Sequence, residues 1–334
     1  MALVIAGPLA LVLGACGTKG DQNSSATPKA SAARFPMTVQ SCDREITIQQ
    51  PPKRVVTQGA EAPALVAAAG GANLVVARNA EGSPLGQYAQ ALQQAPVLPG
   101  DTLSTEATIA QHPDLVINRG AGNDLTPDEL AQVSVPAVVA SGRCTDNQSG
   151  IKADGSFDQI YADIEKFGRI FGTEAHAAAS VADLRQRVAA IEEQATRTPA
   201  GTTAAVVNIP GKSIYSYGRL ATINTQLATL GLQNVFGDQN KRFIDSSLEA
   251  IIARNPDVLI VLTDDGALTA PQVAALPQLA NLRAVREGRV LSLPFGLSID
   301  SPLAVDGLQQ LVDQLATCGE PPAETTTQQH HRCP

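Results

Sequence analysis

One segment of this sequence occurs twice, and it constrains the fold more than any other feature. STEATIAQHPDLVI at residues 104–117 aligns without gaps to SLEAIIARNPDVLI at 247–260, with eight of fourteen positions identical. Chance would match roughly one position at average residue frequencies. Glu106 and Glu249, the equivalent acidic residues, stand 143 residues apart. A repeat at domain length implies two similar lobes, whereas a solenoid repeats every 20 to 50 residues or so. Each copy reads as helix, stop, strand. Ser104 or Ser247 can cap a helix whose positive end Glu106 or Glu249 complements, and Pro-Asp then stops it before a β-branched run.

Short apolar runs recur at 55–56, 74–77, 137–140, 204–209, 258–262 and 290–293, separated by Ala- and Leu-rich helical stretches such as 63–70 and 225–231. Alternating strands and helices predict an α/β chain of two Rossmann-like lobes, each a mostly parallel sheet covered on both faces. Between them, residues 156–198 have a helical stripe: Ile160, Ile164, Phe167 and Phe171, then Val181, Leu184, Val188, Ile191 and Ala195. Gly168 and Gly172 predict a bend, after which 22 residues from His176 to Arg197 give about 33 Å of helix, enough to cross between lobes. The expected boundaries are a first lobe over 37–156, a connecting helical segment over 157–198 and a second lobe over 199–318. A length of 334 residues suits two cores better than one.

The ends read differently. Residues 2–13 are uncharged and nearly all apolar, too short to span a bilayer but suited to an export signal, and they end in Leu13, Gly14, Ala15 and Cys16. Small residues before a Cys resemble a bacterial lipobox, which makes Cys16 the expected site of lipidation and 1–16 the expected signal peptide. No Lys or Arg precedes the run, as such a signal ordinarily has. Residues 17–36 form an expected flexible tether and 319–334 a polar tail. An exported chain with four further cysteines predicts disulfides. Of three possible pairings we favour Cys42 with Cys144 and Cys318 with Cys333; a zinc site competes, but no pair has CxxC spacing.

The order of these pieces resembles the class III solute-binding proteins of ABC importers. The resemblance rests on PPKRVV at 51–56, the two segments with Pro-Asp seven residues after a Glu, and the entry to the connecting helix at 161–169, and it covers about 37–316. It implies two α/β lobes joined by a single long helix, a monomer, and ferric siderophore, haem or cobalamin as ligand. It also implies a permease dimer and its ATPase as partners, with Glu106 and Glu249 meeting Arg residues on the two permease subunits, and limited hinge motion.

Ligands of open α/β sheets bind beyond the strand carboxyl ends. That rule selects Glu61, Arg78, Arg119 and Arg143 on the first lobe, and Tyr215, Tyr217, Arg219, Asp264 and Phe295 on the second. Guanidinium groups suggest an oxygen-rich, anionic cargo, and the aromatic rings could pack on its faces. A bare metal ion fits poorly, since His112 and His176 are the only histidines before the tail and His112 precedes Pro113 at the wrong end of its strand. No cofactor is expected beyond the ligand. A formal net charge of -8 argues against nucleic acid as a partner. No GxSxG elbow, Walker loop or GxGxxG turn is present, so binding is expected and not catalysis.

Overall fold

The computed structural model describes residues 34–79, 84–100, 103–118, 125–147, 154–195, 198–264 and 266–318. Cys16, Arg119 and Cys333, with the proposed signal peptide, most of the tether and the tail, lie outside them. An antiparallel hairpin, β1 (Met37–Ser41) and β2 (Arg44–Ile48), comes first. It is tied to the first lobe by the Cys42–Cys144 disulfide and by the Val139 N–H, which donates to Ser41 Oγ at 2.9 Å.

The first lobe contains β3 (Val55–Thr57), α1 (Ala62–Ala68), β4 (Val75–Asn79), β5 (Val97–Leu98), α2 (Thr105–Ile109), β6 (Leu115–Asn118), α3 (Pro127–Gln132) and β7 (Ala137–Val139). Its five strands are all parallel, in the order β5-β4-β3-β6-β7. The connection is α4 (Phe157–Phe171) followed by α5 (Glu174–Ala195). Gly172, at φ 72°, ends α4 in a left-handed turn that a side chain would strain, so the predicted bend falls there, and α5 starts at Glu174, ahead of the expected His176, and runs for 22 residues.

The second lobe contains β8 (Thr203–Asn208), β9 (Tyr215–Tyr217), α6 (Thr222–Thr229), β10 (Gln233–Asn234), β11 (Phe243–Asp245), α7 (Leu248–Arg254), β12 (Val258–Thr263), α8 (Ala270–Ala274), α9 (Arg283–Arg286), β13 (Val290–Pro294) and α10 (Ala304–Cys318). Here the order is β11-β9-β8-β12-β13, with β10 also beside β8. Strands β8, β10, β12 and β13 run parallel, but β9 and β11 pair antiparallel. Residues 215–219, read from sequence as a loop, thus begin as a strand. Three residues are too few for a hydrophobic period to announce one.

The repeat forms the same device in both lobes. Ser104 Oγ accepts from the Ala107 N–H at 3.1 Å, and Ser247 Oγ from the Ala250 N–H at 3.2 Å. His112 and Asn255, equivalent positions, both turn left-handed at φ 49° and 41° and release the chain from its helix. Asp114 then accepts from the Lys53 and Arg54 N–H groups at 2.8 and 2.9 Å, while Asp257 accepts from the Thr203 N–H and hydroxyl at 2.8 and 2.7 Å. Each Pro-Asp therefore buttons the outgoing strand, β6 or β12, to the start of the lobe's central strand, β3 or β8.

The strands are apolar on both faces because both faces are covered. Val55, Leu115 and Ile117 of the first lobe, with Ala204, Val206, Val258 and Ile260 of the second, belong to one core that also includes Ile164, Phe167, Leu184, Ile191 and Leu308 of α4, α5 and α10. Alternate residues pack outward into a smaller core for each lobe: Val56 and Val116 in the first, Ala205, Val207, Leu259 and Val261 in the second. The helical connection is thus built into a core shared by both sheets.

Candidate functional site

In a parallel sheet, helix amino ends and strand carboxyl ends lie together, which brings the loops after β3, β6 and β7 to one edge of the first lobe. The loop after β3 carries Gln58, Gly59 and Glu61, all buried. Glu61 stands at the amino end of α1, where a negative charge is favoured. Arg143, just beyond β7, donates from Nε to Glu61 Oε1 at 2.8 Å and from Nη2 to Oε2 at 2.9 Å. The Glu61 side chain is 0% exposed and that of Arg143 6%. These two residues, each predicted to reach a ligand, are instead paired with one another in a buried bidentate bridge. Guanidinium and carboxylate have matching planar geometry, and burial of either alone would cost several kcal/mol.

A second bridge faces it from the other lobe. Arg242, immediately before β11, pairs with Asp300, and Asp300 also accepts from the Thr222 hydroxyl at 2.6 Å. Arg242 donates as well to the carbonyl of Gly142, so it reaches across to the first lobe. Burial alone would raise the Asp300 carboxyl, but the charge and hydrogen bonds of Arg242, the Thr222 hydroxyl and the charge of Arg143 hold it below the usual carboxylate range. It is ionised, and each buried cation has a carboxylate partner.

The remaining predicted residues divide by lobe and exposure. Tyr215 opens β9 opposite Asn208, whose Nδ2 lies 3.4 Å from Asp264 Oδ1. Tyr217 is buried, with its ring edge-on to Phe243 at 5.5 Å between centroids. Burial and the charge of Asp264 push its phenol up, against the opposing pull of Arg143, so it stays protonated. Tyr215, Tyr217, Asp264 and Arg143 are therefore neighbours. Phe295 is half-buried against the shared core. Arg78 on β4 is half-buried and Arg219 exposed, and among the described residues neither forms an ion pair.

Sequence reasoning missed Arg242, Asp300, Thr222 and the partly exposed Phe243, which belong to no motif and meet only through folding. It also missed buried polar atoms with no hydrogen-bond partner among the described residues: both amide atoms of Gln58 at the end of β3, Asn118 Oδ1 at the end of β6, and Ser216 Oγ on β9. Buried groups of this kind are ordinarily hydrogen-bonded. Among the described residues no group of three or more His, Cys, Asp or Glu side chains could hold a metal ion.

Glu106 and Glu249 are exposed in the first turns of α2 and α7. Hydrogen bonds from their own backbone N–H groups and from the Ser104 and Ser247 hydroxyls hold both carboxyls below the usual range, so they remain charged.

Two α/β lobes facing each other across buried, charge-balanced polar groups, joined through a helical core, define a two-lobed solute-binding protein. Residues 55–297 match the family model described as periplasmic binding protein, and the chain belongs to that family. A Bacillus subtilis protein described as an uncharacterized ABC transporter substrate-binding lipoprotein is 24% identical over 92% of this chain and 93% of its own. A Halobacterium salinarum cobalamin-binding protein is 26% identical over 78% of this chain and 69% of its own. The crystal structure of an ABC-type Fe3+-hydroxamate transport system from Saccharomonospora viridis superposes with a TM-score of 0.71 at 31% identity, over 84% of this chain and 98% of that one.

Proposed function

We propose that this chain is the extracytoplasmic solute-binding component of an ABC importer, and that its cargo is a metal chelate with little net charge, a ferric hydroxamate in first place. The observation that carries the choice is the internal neutralisation of Arg143 by Glu61 and of Arg242 by Asp300. A strongly anionic catecholate complex would need several uncommitted guanidinium groups in one place; Arg143 and Arg242 supply none, which leaves Arg78 and Arg219, one on each lobe. In a ferric tris-hydroxamate the ligand charges cancel those of the metal. Such a complex offers apolar arms to Tyr215, Phe243 and Phe295. The likeness to the Saccharomonospora viridis protein supports the same cargo. Tyr217, buried and held as a neutral phenol, makes haem a poorer fit. A corrinoid is the second reading, supported by the cobalamin-binding relative.

In this reading Cys16 carries the lipid anchor on the extracytoplasmic face. Glu106 and Glu249 present matched carboxylates to a permease dimer, whose ATPase drives import, and no step of catalysis is involved. The chain has no Trp and four Tyr, so quenching of tyrosine fluorescence reports binding directly. Purified protein is titrated with a ferric tris-hydroxamate, a ferric tris-catecholate, haem and cobalamin. The hydroxamate complex is expected to bind at least about tenfold tighter than the catecholate, equivalent to about 1.4 kcal/mol. Preference for the catecholate would remove the charge argument, and failure of all four to bind below about micromolar would remove the carrier reading.

A further inference from the structure

The two lobes touch through glycines. A Cβ added to Gly142 would lie 2.2 Å from Asp300 Cγ and 2.4 Å from Asp300 Cβ. One on Gly86, between β4 and β5, would lie 2.6 Å from Leu303 Cδ2, and one on Gly155, ahead of α4, 2.7 Å from the backbone of Ala221 and Thr222. At Gly155 the neighbour is backbone and at Gly142 it is the root of a clamped side chain, so the seam closes there because a Cβ is missing, whereas Leu303 could turn aside at Gly86.

The middle contact is clamped from both sides. In the first lobe, the Ser141 N–H and hydroxyl donate to Asp163 at 2.7 and 2.6 Å, with Lys166 Nζ 2.7 Å from the same carboxylate. Arg143 is held by Glu61, and Cys144 by its disulfide to Cys42. The residues on both sides of Gly142 are thus anchored, and its carbonyl is presented at a fixed place. In the second lobe, Asp300 and Thr222 aim Arg242 at that carbonyl.

We propose that Gly142, Arg242 and Asp300 form an inter-lobe staple that sets the width of the cleft before any solute arrives, with Arg242 as the positioning residue. Guanidinium is suited to this because its planar fork can hold Asp300 and the carbonyl together, whereas an ammonium point charge cannot keep both geometries. The inference concerns the ligand-free protein, so it stands or falls separately from the identity of the cargo.

The test is a distance measurement by pulsed electron spin resonance. Spin labels are carried on p-acetylphenylalanine at exposed Gln132 of the first lobe and Arg286 of the second, which leaves the cysteines untouched. The parent protein is expected to give one narrow distribution without ligand. Gly142→Ala, which drives a methyl group into Asp300, should lengthen the mean by more than about 2 Å. R242K should broaden the distribution while thermal melting remains cooperative, and it carries the test if Gly142→Ala does not fold. A broad distribution in the parent, or an unchanged one in every variant that folds, would overturn the staple.

Discussion

Glu61→Ala is predicted to destabilise the protein far more than an ordinary surface substitution. It strands Arg143, whose side chain is only 6% exposed, without the carboxylate that meets it through bonds of 2.8 and 2.9 Å. Breaking one side of a buried ion pair costs about 3–5 kcal/mol, most of it the penalty of leaving the other charge desolvated. Arg143→Met should cost a similar amount by stranding Glu61, and Glu61→Leu, the single that completes the cycle, should cost as much as Glu61→Ala. The double variant Glu61→Leu with Arg143→Met leaves no buried charge and should cost little more than a conservative repacking, under about 1.5 kcal/mol. The single losses therefore overshoot the double by several kcal/mol, and that coupling is the signature of the pair. Urea unfolding with the disulfide intact measures it, and the core shared by both lobes makes a single transition the expectation. Additivity within about 0.5 kcal/mol, or a Glu61→Ala loss below about 1 kcal/mol, would refute the reasoning.

Asp257 titrates at about 2: partial burial would raise it, but hydrogen bonds from Thr203 and Arg283 outweigh that and bring it down from 3.8. Because the folded value lies below the unfolded one, its stabilisation is complete above about pH 4 and is lost as pH falls toward 2. Asp257→Asn should remove on the order of 1–2 kcal/mol at neutral pH and flatten that part of the acid-unfolding curve, as read by circular dichroism. Opening the Cys42–Cys144 bridge, which spans a sequence separation of 102, should cost about 2–4 kcal/mol, measured as the midpoint shift of Cys42→Ser with Cys144→Ser in urea. Glu106→Arg with Glu249→Arg should abolish import into cells while leaving chelate affinity within about twofold, and normal uptake by that variant would remove the docking assignment.

What could be read before folding was local or repeated. The helix cap at Ser104 and the stop at Pro113 act within a dozen residues, and their recurrence at Ser247 and Pro256 doubled the signal, whereas the clamps of Asp114 and Asp257 reach back to β3 and β8 and show only in the fold. The stripe from Ile160 to Ala195 announced a helical connection because helical spacing is legible at that length. Strand β9 was not legible, being too short to show a period, nor was its partner β11. The candidate site was half legible. Topology alone directed attention to Glu61, Arg143, Tyr215 and Tyr217 at the strand ends, but a list of rim residues does not say which of them bind each other.

Local chemistry, repeated once along the chain, was enough to determine two α/β halves, their central strands and the helices between them, because caps, stops and apolar periods act over a few residues. Charge pairing was decided only by the tertiary structure. Glu61 meets Arg143 across 82 residues, and Gly142 meets Arg242 across 100. Nothing in either local sequence encodes the partner. Burial, which makes an unmatched charge intolerable, is a property of the assembled core, and it turned Arg143, expected free on the rim, into half of a neutral pair with Glu61.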